Sequence, residues 1–488
     1  MITNLQPLNK IGQLICLLLL PACMLSGCAF TQQMAQEDLL EPYYHGDSEA
    51  ASEILADDYD HNLPFLLDAG MVRFNQGEFA QAYTLLNESE AEVKNDETES
   101  DVYAASKVVG EVIMNREFMN YEPRTSDTVL INMYKAYSLM GMGKIDKARV
   151  EFNRTMERQR RAVEEYKDEI RELNHEAKQQ QAKKRREREA ERDDAAPELD
   201  ITRITQAATS SVHDNMPQIS KWSGYGDFVN PYATYLSGLF FCVNGEVASD
   251  YTKCNTMLKR VSGMAPDNPY VAHDVAMSQA LVEGKATEST TKPTVWVLFE
   301  NGLAPKVDEF RLDLPLFIFD SHGAVSTISF AMPILETRDE ALPYIFVTNG
   351  TKLYRSELLC NFDSVMQAEY KALLPITISK AVASTATKAL AQVIAQQSGG
   401  ELAGLAAGLF TSIMTQADTR SWLSLPKNIQ LVRVPKPKNN TLQIKAPNGT
   451  TIANILLPDS ANALVHIRIP TAGSMPYINT IPFGTNYK

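Results

Sequence analysis

The chain has 488 residues, and since an ordinary domain takes roughly 150, we expect about three domains. Its 44% hydrophobic and 22% charged residues exclude wholesale disorder, a collagen-like fibre and a polytopic membrane protein. A formal net charge of -14 argues against general nucleic-acid binding, which needs a basic face to neutralise phosphates. The composition therefore indicates a folded protein that faces water, with no nucleic-acid partner.

The N-terminus resembles the signal of a bacterial lipoprotein. Lys10 precedes the apolar run 11–25, which is shorter than the roughly 20 residues that a membrane-spanning helix needs. The run ends in Leu-Ser-Gly27-Cys28, which is similar to a lipobox, so residues 1–27 are predicted to be a signal peptide cleaved between Gly27 and Cys28. Acyl chains on Cys28 would anchor the mature chain in the membrane. An ordinary secretory signal with an incidental cysteine is the alternative.

The residues after the lipobox bear on the choice of membrane. No aspartate follows Cys28, and by analogy with lipoproteins this favours the outer membrane over retention in the inner one. We therefore expect a lipid-anchored protein of the outer membrane that faces the periplasm.

Three cysteines remain after cleavage and lipidation: Cys242, Cys254 and Cys360. Three cysteines in an oxidising compartment allow at most one internal disulfide. Cys242 and Cys254 are the closest pair, twelve residues apart across a predicted helical hairpin. Buried free cysteines would give the same pattern, so the pairing stays open at this point.

Helical hairpins are predicted in the first half, after an acylated N-terminus and tether over 28–60. Three stretches, 66–90, 132–153 and 235–257, resemble the tetratricopeptide repeat, with small residues where two helices cross and a glycine at the turn. The positions that would shape this scaffold are Gly70, Gly77, Ala82, Gly143, Ala148, Gly238 and Gly245. The sequence therefore predicts helical repeats over 61–153 and 216–290.

Between the repeats, residues 154–215 have the spacing of a coiled coil. Apolar residues recur at intervals of three and four over 163–177, and helical spacing returns at Ile201, Ile204, Ala208 and Val212. We expect an antiparallel coiled-coil hairpin that projects from the repeats. Pairing with another molecule is the rival interpretation.

The second half alternates between short strand patterns and helices. Runs rich in β-branched and aromatic residues occupy 294–299, 309–314, 325–331, 344–348, 429–434, 441–446, 451–457 and 464–469. Helices are predicted at 362–373 and 376–396 between them. The predicted fold class is therefore α+β: helical repeats with a coiled-coil hairpin, followed over 291–488 by an α+β domain with a sheet or sandwich and C-terminal strands.

Four stretches are similar to a widespread family of bacterial lipoproteins with tetratricopeptide-like N-terminal halves. They are 147–151 (KARVE), 230–239 (NPYATYLSGL), 300–306 (ENGLAPK) and 417–426 (ADTRSWLSLP). Together they span most of the mature chain. The resemblance implies a location and an architecture, and it implies no activity and no catalytic residue.

The common catalytic motifs do not occur in the sequence. G-x-S-x-G, H-E-x-x-H, the P-loop and the Rossmann fingerprint are missing, and no two of the seven histidines are spaced three or four apart as in half of a metal site. We therefore predict a protein that is not an enzyme, with no catalytic residue, no metal site and no cofactor.

Two features suggest interactions. Gly400, Gly404 and Gly408 would form a ridge on one helix face, which fits either an internal packing helix or self-association into a homo-oligomer. Charge is also segregated, with 22 acids and 7 bases in 29–145 against 7 bases and 1 acid in 421–488. Opposite partners could therefore be attracted to the two ends, unless this is simple surface charging.

These patterns predict a non-catalytic, periplasm-facing outer-membrane lipoprotein whose concave helical repeats bind an envelope protein or peptide. One alternative is a regulator of peptidoglycan synthesis that reaches through the wall on its coiled-coil hairpin. The other is a structural subunit of a large envelope assembly.

Overall fold

The computed structural model describes residues 33–56, 62–93, 121, 123–162, 164, 171, 201–225, 229–317, 325–379, 381–382 and 417–484. These residues combine helices and sheets, which confirms the α+β class. The predicted signal peptide, the processing site Gly27-Cys28 and the ridge of Gly400, Gly404 and Gly408 lie outside the described residues. So do the apolar coiled-coil positions Val163, Tyr166, Ile170, Leu173 and Ala177.

Helices occupy most of the described chain up to residue 291. The first six are α1 (33–45), α2 (Ser48–Ile54), α3 (Leu63–Asn75), α4 (79–93), α5 (Thr125–Gly141) and α6 (145–162). The next six are α7 (Ile201–Asn215), α8 (Gln218–Lys221), α9 (Pro231–Val243), α10 (Ala248–Met264), α11 (Pro269–Val282) and α12 (Glu288–Thr291). A further helix, α13 (362–379), lies between strands.

Asparagine caps begin three of these helices. Asn62, Asn230 and Asn268 each accept hydrogen bonds from backbone N–H groups of the first turn, which have no partner inside the helix. Proline follows directly at Pro231 and Pro269, where the missing N–H costs nothing. The Asn-Pro pairs therefore set the start of α9 and α11.

Short turns join α3 to α4, α5 to α6, and α9 to α10. Gly77 and Gly143 lie in the first two turns with φ of +80° and +70°, a region that favours glycine. Gly70 lies where α3 crosses α4, and a Cβ there would be 2.9 Å from the Cγ of Leu86. Ala82 and Ala148 have no exposed surface. The first two hairpins thus place their small residues where the helices touch.

The third hairpin is built differently at its turn. Gly238 of α9 faces Met257 of α10, and a Cβ at Gly238 would be 3.0 Å from that side chain. Gly245 has an ordinary φ, but a Cβ there would be 2.5 Å from the carbonyl oxygen of Phe241. Position 245 therefore favours glycine because the Phe241 carbonyl oxygen is too close for a Cβ, and not because of a positive φ.

The described strands form three sheets. They are β1 (Thr294–Asn301), β2 (Lys306–Phe317), β3 (Val325–Glu336), β4 (Phe346–Thr348), β5 (Leu353–Arg355), β6 (Glu357–Asn361), β7 (Asn428–Pro435), β8 (Thr441–Lys445), β9 (Thr451–Leu456), β10 (Asn462–Ile469) and β11 (Tyr477–Phe483). A five-stranded sheet has the order β11-β10-β1-β7-β6, in which β1 and β10 are parallel and the other pairs antiparallel. An antiparallel sheet has the order β5-β4-β8-β9, and β2 pairs only with β3.

The five-stranded sheet is the middle layer of the molecule. Side chains of a strand alternate between its two faces, so Trp296 and Leu298 of β1 pack with the helices while Val295 and Val297 pack with the four-stranded sheet. Both faces of β1 are therefore buried, and its eight residues are all buried. The layers run in the order helices, five-stranded sheet, four-stranded sheet.

One hydrophobic core unites the helices with the five-stranded sheet. Residues of α3, α5 and α9 pack in one cluster with Trp296 of β1, Leu431 of β7, Leu464 of β10 and Ile481 of β11. The expected boundary near residue 290, between repeats and an α+β domain, therefore does not separate two cores. The physical reason is that the sheet needs a cover on its helix-facing side, and the first helices of the hairpins supply it.

The expected tether over 28–60 is largely folded. Its residues 33–45 and Ser48–Ile54 are helices α1 and α2, and Leu39, Leu40 and Tyr43 have at most 1% of their surface exposed. These side chains pack against Phe65, Ala69 and Val72 of α3 and against Tyr477 of β11. The acidic composition of this stretch suggested a tether, but its apolar residues form a stripe that packs against α3 and β11.

Helix α7 packs on α13 and on the β2–β3 hairpin, while the apolar positions expected to pair with it in a coiled coil lie outside the described residues. Ala208 and Val212 lie in a cluster with Leu374 and Ile378 of α13 and with Met332 of β3. The apolar stripe that suggested half of a coiled coil therefore faces α13 and the β2–β3 hairpin. Helix α13 itself continues through Pro375, where the sequence suggested a break between two helices.

Among the described residues, no helix is long and apolar enough to cross a bilayer.

We predict opposite effects for two glycine-to-alanine substitutions in helices. Gly70→Ala should lower the free energy of unfolding by roughly 1–3 kcal/mol, because the new methyl group overlaps Leu86 at the α3–α4 crossing. Gly263→Ala in α10 should leave it unchanged or raise it by up to about 1 kcal/mol, because nothing lies near that position. Urea unfolding of the chain starting at residue 29 measures both. Equal stabilisation by the two substitutions would contradict this packing.

A buried polar junction as the candidate functional site

Glu300 is the centre of a polar cluster between the helices and the five-stranded sheet. It lies on the helix-facing side of β1 and has no exposed surface. Its Oε1 accepts hydrogen bonds from the hydroxyls of Tyr134 on α5, at 2.9 Å, and Tyr232 on α9, at 2.8 Å. Its Oε2 is 3.2 Å from Nε2 of His466 on β10. One carboxylate therefore joins two helices and two strands.

The electrostatics of this cluster favour an ionised Glu300. Burial by itself would raise the pKa of Glu300, but the charges of His466 and Arg468 and the Tyr232 hydrogen bond outweigh it and hold the pKa below its usual value. Burial and the neighbouring Glu300 charge raise the pKa values of Tyr134 and Tyr232 well above the usual range. Both phenols therefore stay protonated and act as donors.

Arg468 extends the cluster along β10. Its Nη1 donates to the carbonyl oxygen of Gly302 at 2.5 Å, its Nη2 to that of Ser424 at 3.1 Å, and its Nε to the Tyr43 hydroxyl at 3.1 Å. The guanidinium is fully buried, so each of these contacts replaces a hydrogen bond to water. Arg468 thereby connects α1, the end of β1 and the segment before β7.

A second buried ion pair lies on the same face of the sheet. Arg433 of β7 places its Nε 2.9 Å from Oδ1 of Asp274 on α11. The hydroxyl of Tyr235 donates to Asp274 at 2.6 Å, and the Trp296 indole lies 3.2 Å from both carboxylate oxygens. Burial raises the pKa of Asp274, with Arg433 opposing that rise. This pair fastens α11 and α9 to the sheet.

Asp68 forms a third contact, between α3, α1 and the segment before β7. It accepts the backbone N–H groups of Ser424 at 2.8 Å and Leu423 at 3.4 Å, and the side-chain amide of Gln36 at 2.5 Å. It is fully buried, and burial raises its pKa to about 6 even though these donors oppose the rise. Asp68 therefore takes up a proton more readily than an exposed aspartate.

The residues after Glu300 fix the end of β1. The Asn301 side chain donates to the carbonyl oxygen of Leu342 at 2.7 Å and accepts the N–H groups of Ala341 at 3.1 Å and Leu342 at 3.0 Å. Gly302 has a φ of +67°, and a Cβ there would be 2.6 Å from the Asp339 carbonyl oxygen. The ENG sequence is therefore a structural motif at which three segments meet.

The four stretches that suggested the lipoprotein family contribute to these contacts or lie beside them. Tyr232 and Tyr235 come from 230–239, Glu300 from 300–306, and the Ser424 backbone from 417–426. Arg149 from 147–151 donates to Asp250 at 2.7 Å and to the Asn244 carbonyl oxygen at 2.6 Å, which joins α6 to the α9–α10 turn.

His466 and Arg468 were not predicted as site residues from the sequence. His466 was counted among the scattered histidines, and Arg468 only as part of a basic C-terminal region. A signal was present, because they are the two polar residues at alternate positions in the otherwise apolar run 464–469. The acidic partner and the tyrosines could not be assigned from the sequence, since they lie more than 60 residues away along the chain.

The structure joins Cys242 and Cys254 by a disulfide with a Cα–Cα distance of 5.3 Å. The bond links α9 to α10 within the third hairpin. Cys360 of β6 is buried and free. Burial raises the pKa of its thiol to about 12, so it is not a reactive thiolate.

The junction holds its polar groups together rather than offering them to a ligand. Glu300, His466, Arg468 and Asp274 have no exposed surface, so a substrate in solvent does not reach them. A cavity beside Asn230 and Glu369 measures about 10 Å³, room for roughly one water molecule. In the described part of the chain, no group of three or more His, Cys, Asp or Glu side chains could hold a metal ion. These buried hydrogen bonds and ion pairs can hold the helices on the five-stranded sheet.

Comparison with family models, with curated proteins and with solved structures finds no match for this chain.

We predict that Asp68 makes stability depend on pH. Its folded pKa of about 6 exceeds the ordinary 3.8, so its contribution is present below pH 3.8 and is lost as the pH rises through about 6. The difference corresponds to roughly 3 kcal/mol. Asp68→Asn should therefore remove this part of the decline when urea unfolding is measured from about pH 4 to about pH 7, while Asp127, whose pKa burial also raises to about 6, keeps its own part.

The control is Asp146→Asn, which changes an exposed aspartate by the same atoms. It should leave the pH dependence as in the unaltered chain. An unaltered pH dependence in Asp68→Asn would contradict the assignment of the proton to Asp68.

Proposed function

We propose that the protein is a lipid-anchored, periplasm-facing outer-membrane lipoprotein that binds another envelope protein and catalyses no reaction. The observation that carries this proposal is that the ionisable side chains of the buried polar junction are not exposed to solvent. They are held to one another and to neighbouring side chains by hydrogen bonds and ion pairs. They are suited to holding helices on a sheet, and the exposed helical surface is left for a partner.

The proposed anchor would hold the body close to the membrane. Four residues lie between Cys28 and Gln33, where the described part of α1 starts, and the five Cα-to-Cα steps of an extended chain reach at most about 18 Å. An acylated Cys28 would therefore keep α1 near the lipid surface. This arrangement favours a partner in or near the outer membrane over a target that the N-terminus must reach across the wall.

We interpret the hairpins α3–α4, α5–α6 and α9–α10 as tetratricopeptide-like repeats whose usual ligand-binding groove is occupied by the five-stranded sheet of the same chain. In such arrays a concave surface binds the ligand. Here the first helices are buried almost throughout, because the second helices lie on one side and the five-stranded sheet on the other. The surface open to a protein partner is therefore the outer one, formed by the second helices.

The junction of α6 and α10 is the part of that surface best suited to docking. The ion pair between Arg149 and Asp250 fixes the two helices there, and Arg149 is also bonded to Asn244. Val150, next to Arg149, is 49% exposed, and Val247, between Asn244 and Asp250, is 55% exposed. The two exposed valines beside this fixed ion pair are the apolar side chains that the outer surface offers to a partner at this junction.

The first test of this proposal concerns the anchor and the partner together. Cells that express the chain should label it with palmitate, and Cys28→Ala should abolish the label. Crosslinking of the full chain in intact cells should capture a specific envelope protein. The double substitution Val150→Glu and Val247→Glu should reduce that capture about tenfold, because it places two charges in the apolar contact.

Val282→Glu provides the matched control, since Val282 is 44% exposed at the end of α11. It should leave the capture unchanged. Labelling that survives Cys28→Ala would contradict the anchor. Capture that resists the double substitution, or no specific capture at all, would contradict the docking surface.

A further inference from the structure

The outer face of the four-stranded sheet carries aromatic and cationic side chains. The buried Val347 of β4 and the buried Ile345 just before β4 face the inner core, so Phe346 and Tyr344, which alternate with them, belong to the opposite face. Both aromatic side chains are partly exposed, and their rings lie 5.2 Å apart between centroids. A solvent-facing sheet surface is usually polar, so this exposed aromatic pair needs an explanation.

Strand register places a cation on either side of Phe346. Phe346 is directly opposite Arg355 of β5 and directly opposite Lys445 of β8. Since neighbouring strands are about 4.8 Å apart, the two cationic residues are separated by roughly 10 Å at the backbone. Across β5, β4 and β8, the aromatic ring of Phe346 therefore lies between two cationic residues.

Arg355 is held in place by the aromatic pair. Its guanidinium carbon lies 4.2 Å from the centroid of the Tyr344 ring, within the range of a cation–π interaction. Such stacking restricts the rotamers of the arginine before any ligand arrives. Nη1 of Arg355 lies 3.9 Å from Oε1 of Glu357, an ion-pair distance that is too long for a hydrogen bond. Arg355 is thus ordered, and its N–H groups remain available for an anion.

The adjacent row on the same face supplies uncharged hydrogen-bonding groups. Thr348 is opposite Gln443, and Gln443 is opposite Asn454. The Gln443 amide donates to Oδ1 of Asn454 at 3.0 Å, which leaves Oε1 of Gln443 as an acceptor and Nδ2 of Asn454 as a donor for a ligand. Amides and aromatic rings together suit a sugar, which presents hydroxyl groups at its edges and apolar C–H groups on its faces.

Charge distinguishes this part of the molecule from the rest. The stretches 344–357 and 436–460 contain five bases and two acids, for a net charge of 5 - 2 = +3, whereas the whole chain has a net charge of -14. Within the described chain, no carboxylate lies within 4.0 Å of Lys445. A cationic face on an acidic protein attracts an anionic partner to that one surface. The strand register places Arg355 and Lys445 on the outer face, whereas Lys436 donates to the carbonyl oxygens of Pro458 and Ser460. The other two bases are Lys352 and Lys438.

The layer order determines which way this face points. Helix α1, the described segment closest to Cys28, packs on α3 in the helical layer. The four-stranded sheet lies on the other side of the five-stranded sheet. If Cys28 is anchored in the outer membrane, the aromatic and cationic face is separated from the anchored helix by the sheet, which favours a ligand in the periplasm over the lipid surface.

We propose that this outer face binds the peptidoglycan of the cell wall. A sugar ring packs against the Tyr344–Phe346 pair, and Arg355 and Lys445 pair with carboxylates of the stem peptides. The amides of Gln443 and Asn454 bind sugar hydroxyl or acetamido groups. This assignment rests on the proposed periplasmic location, and it adds a wall-binding surface to the proposed protein-binding one.

Sedimentation with purified peptidoglycan sacculi tests the assignment. The chain starting at residue 29, which keeps every described residue, should sediment with sacculi at about 0.15 M salt and bind more weakly as salt rises. Arg355→Gln combined with Lys445→Gln should weaken binding about tenfold by removing both charge-assisted contacts. Tyr344→Leu should also weaken binding, although it leaves the net charge unchanged.

The matched control is Lys285→Gln combined with Lys292→Gln, which removes the same charge from lysines that are 68% and 62% exposed elsewhere. It should bind like the unaltered chain. Equal losses in the two double variants would overturn the assignment, because they would indicate attraction by charge alone. No sedimentation of the unaltered chain would overturn it too, as would binding to anionic phospholipid vesicles in preference to sacculi.

This experiment is independent of the anchor and of the protein partner. Unaltered urea unfolding curves for the variants would establish that they fold. If sacculi do not bind while palmitate labelling and partner capture succeed, the wall-binding assignment fails alone. If labelling fails while sacculi bind, the proposed anchor fails and the binding surface stands.

Discussion

The Glu300 carboxylate has no exposed surface, and removing such a charge from water costs several kcal/mol unless partners surround it. Those partners come from three elements: Tyr134 on α5, Tyr232 on α9, and His466 and Arg468 on β10. If one layer moved away from the other, the carboxylate would lose the donors of that layer while still buried. The position of the helices on the five-stranded sheet is therefore set by polar contacts as well as by apolar area. The buried pair of Asp274 and Arg433 imposes the same constraint further along the sheet.

This constraint explains why an array of helical hairpins does not present an open groove. Apolar residues of α3, α5 and α9 face the sheet, and the polar junction fixes their register against it. Binding is consequently assigned to the two surfaces that the layers leave outside, the second helices of the hairpins and the outer face of the four-stranded sheet. The charge segregation in the sequence acquires a different meaning as well. Arg433 and Arg468, two of the C-terminal bases, make buried contacts. On the four-stranded sheet, Arg355 and Lys445 remain for a ligand.

Local structure was largely predictable from the sequence, because it depends on nearby residues. The glycine turns at Gly77 and Gly143 and the strand patterns at β1, β7, β8, β9 and β10 all lie where their composition indicated. The strands β5, β6 and β11 were not predicted, and β5 with its three residues is too short to show a periodicity. The layer order could not be predicted. The sequence of β1 indicates that both of its faces are buried, but it does not indicate which elements cover them. The polar junction was equally hidden, for its members are distant along the chain and only the fold brings Glu300 to Tyr134.

Native-state hydrogen exchange of the chain starting at residue 29 measures directly whether the layers depend on one another. The account predicts that the most protected amides of α5 and α9 exchange with the same opening free energy as those of β1 and β10, because opening either layer exposes Glu300 without its partners. It also predicts that Tyr134→Phe lowers the protection of the helices and of the strands by similar amounts. Helices that open at a much lower free energy than the sheet, and respond to the substitution alone, would contradict a single interlocked core.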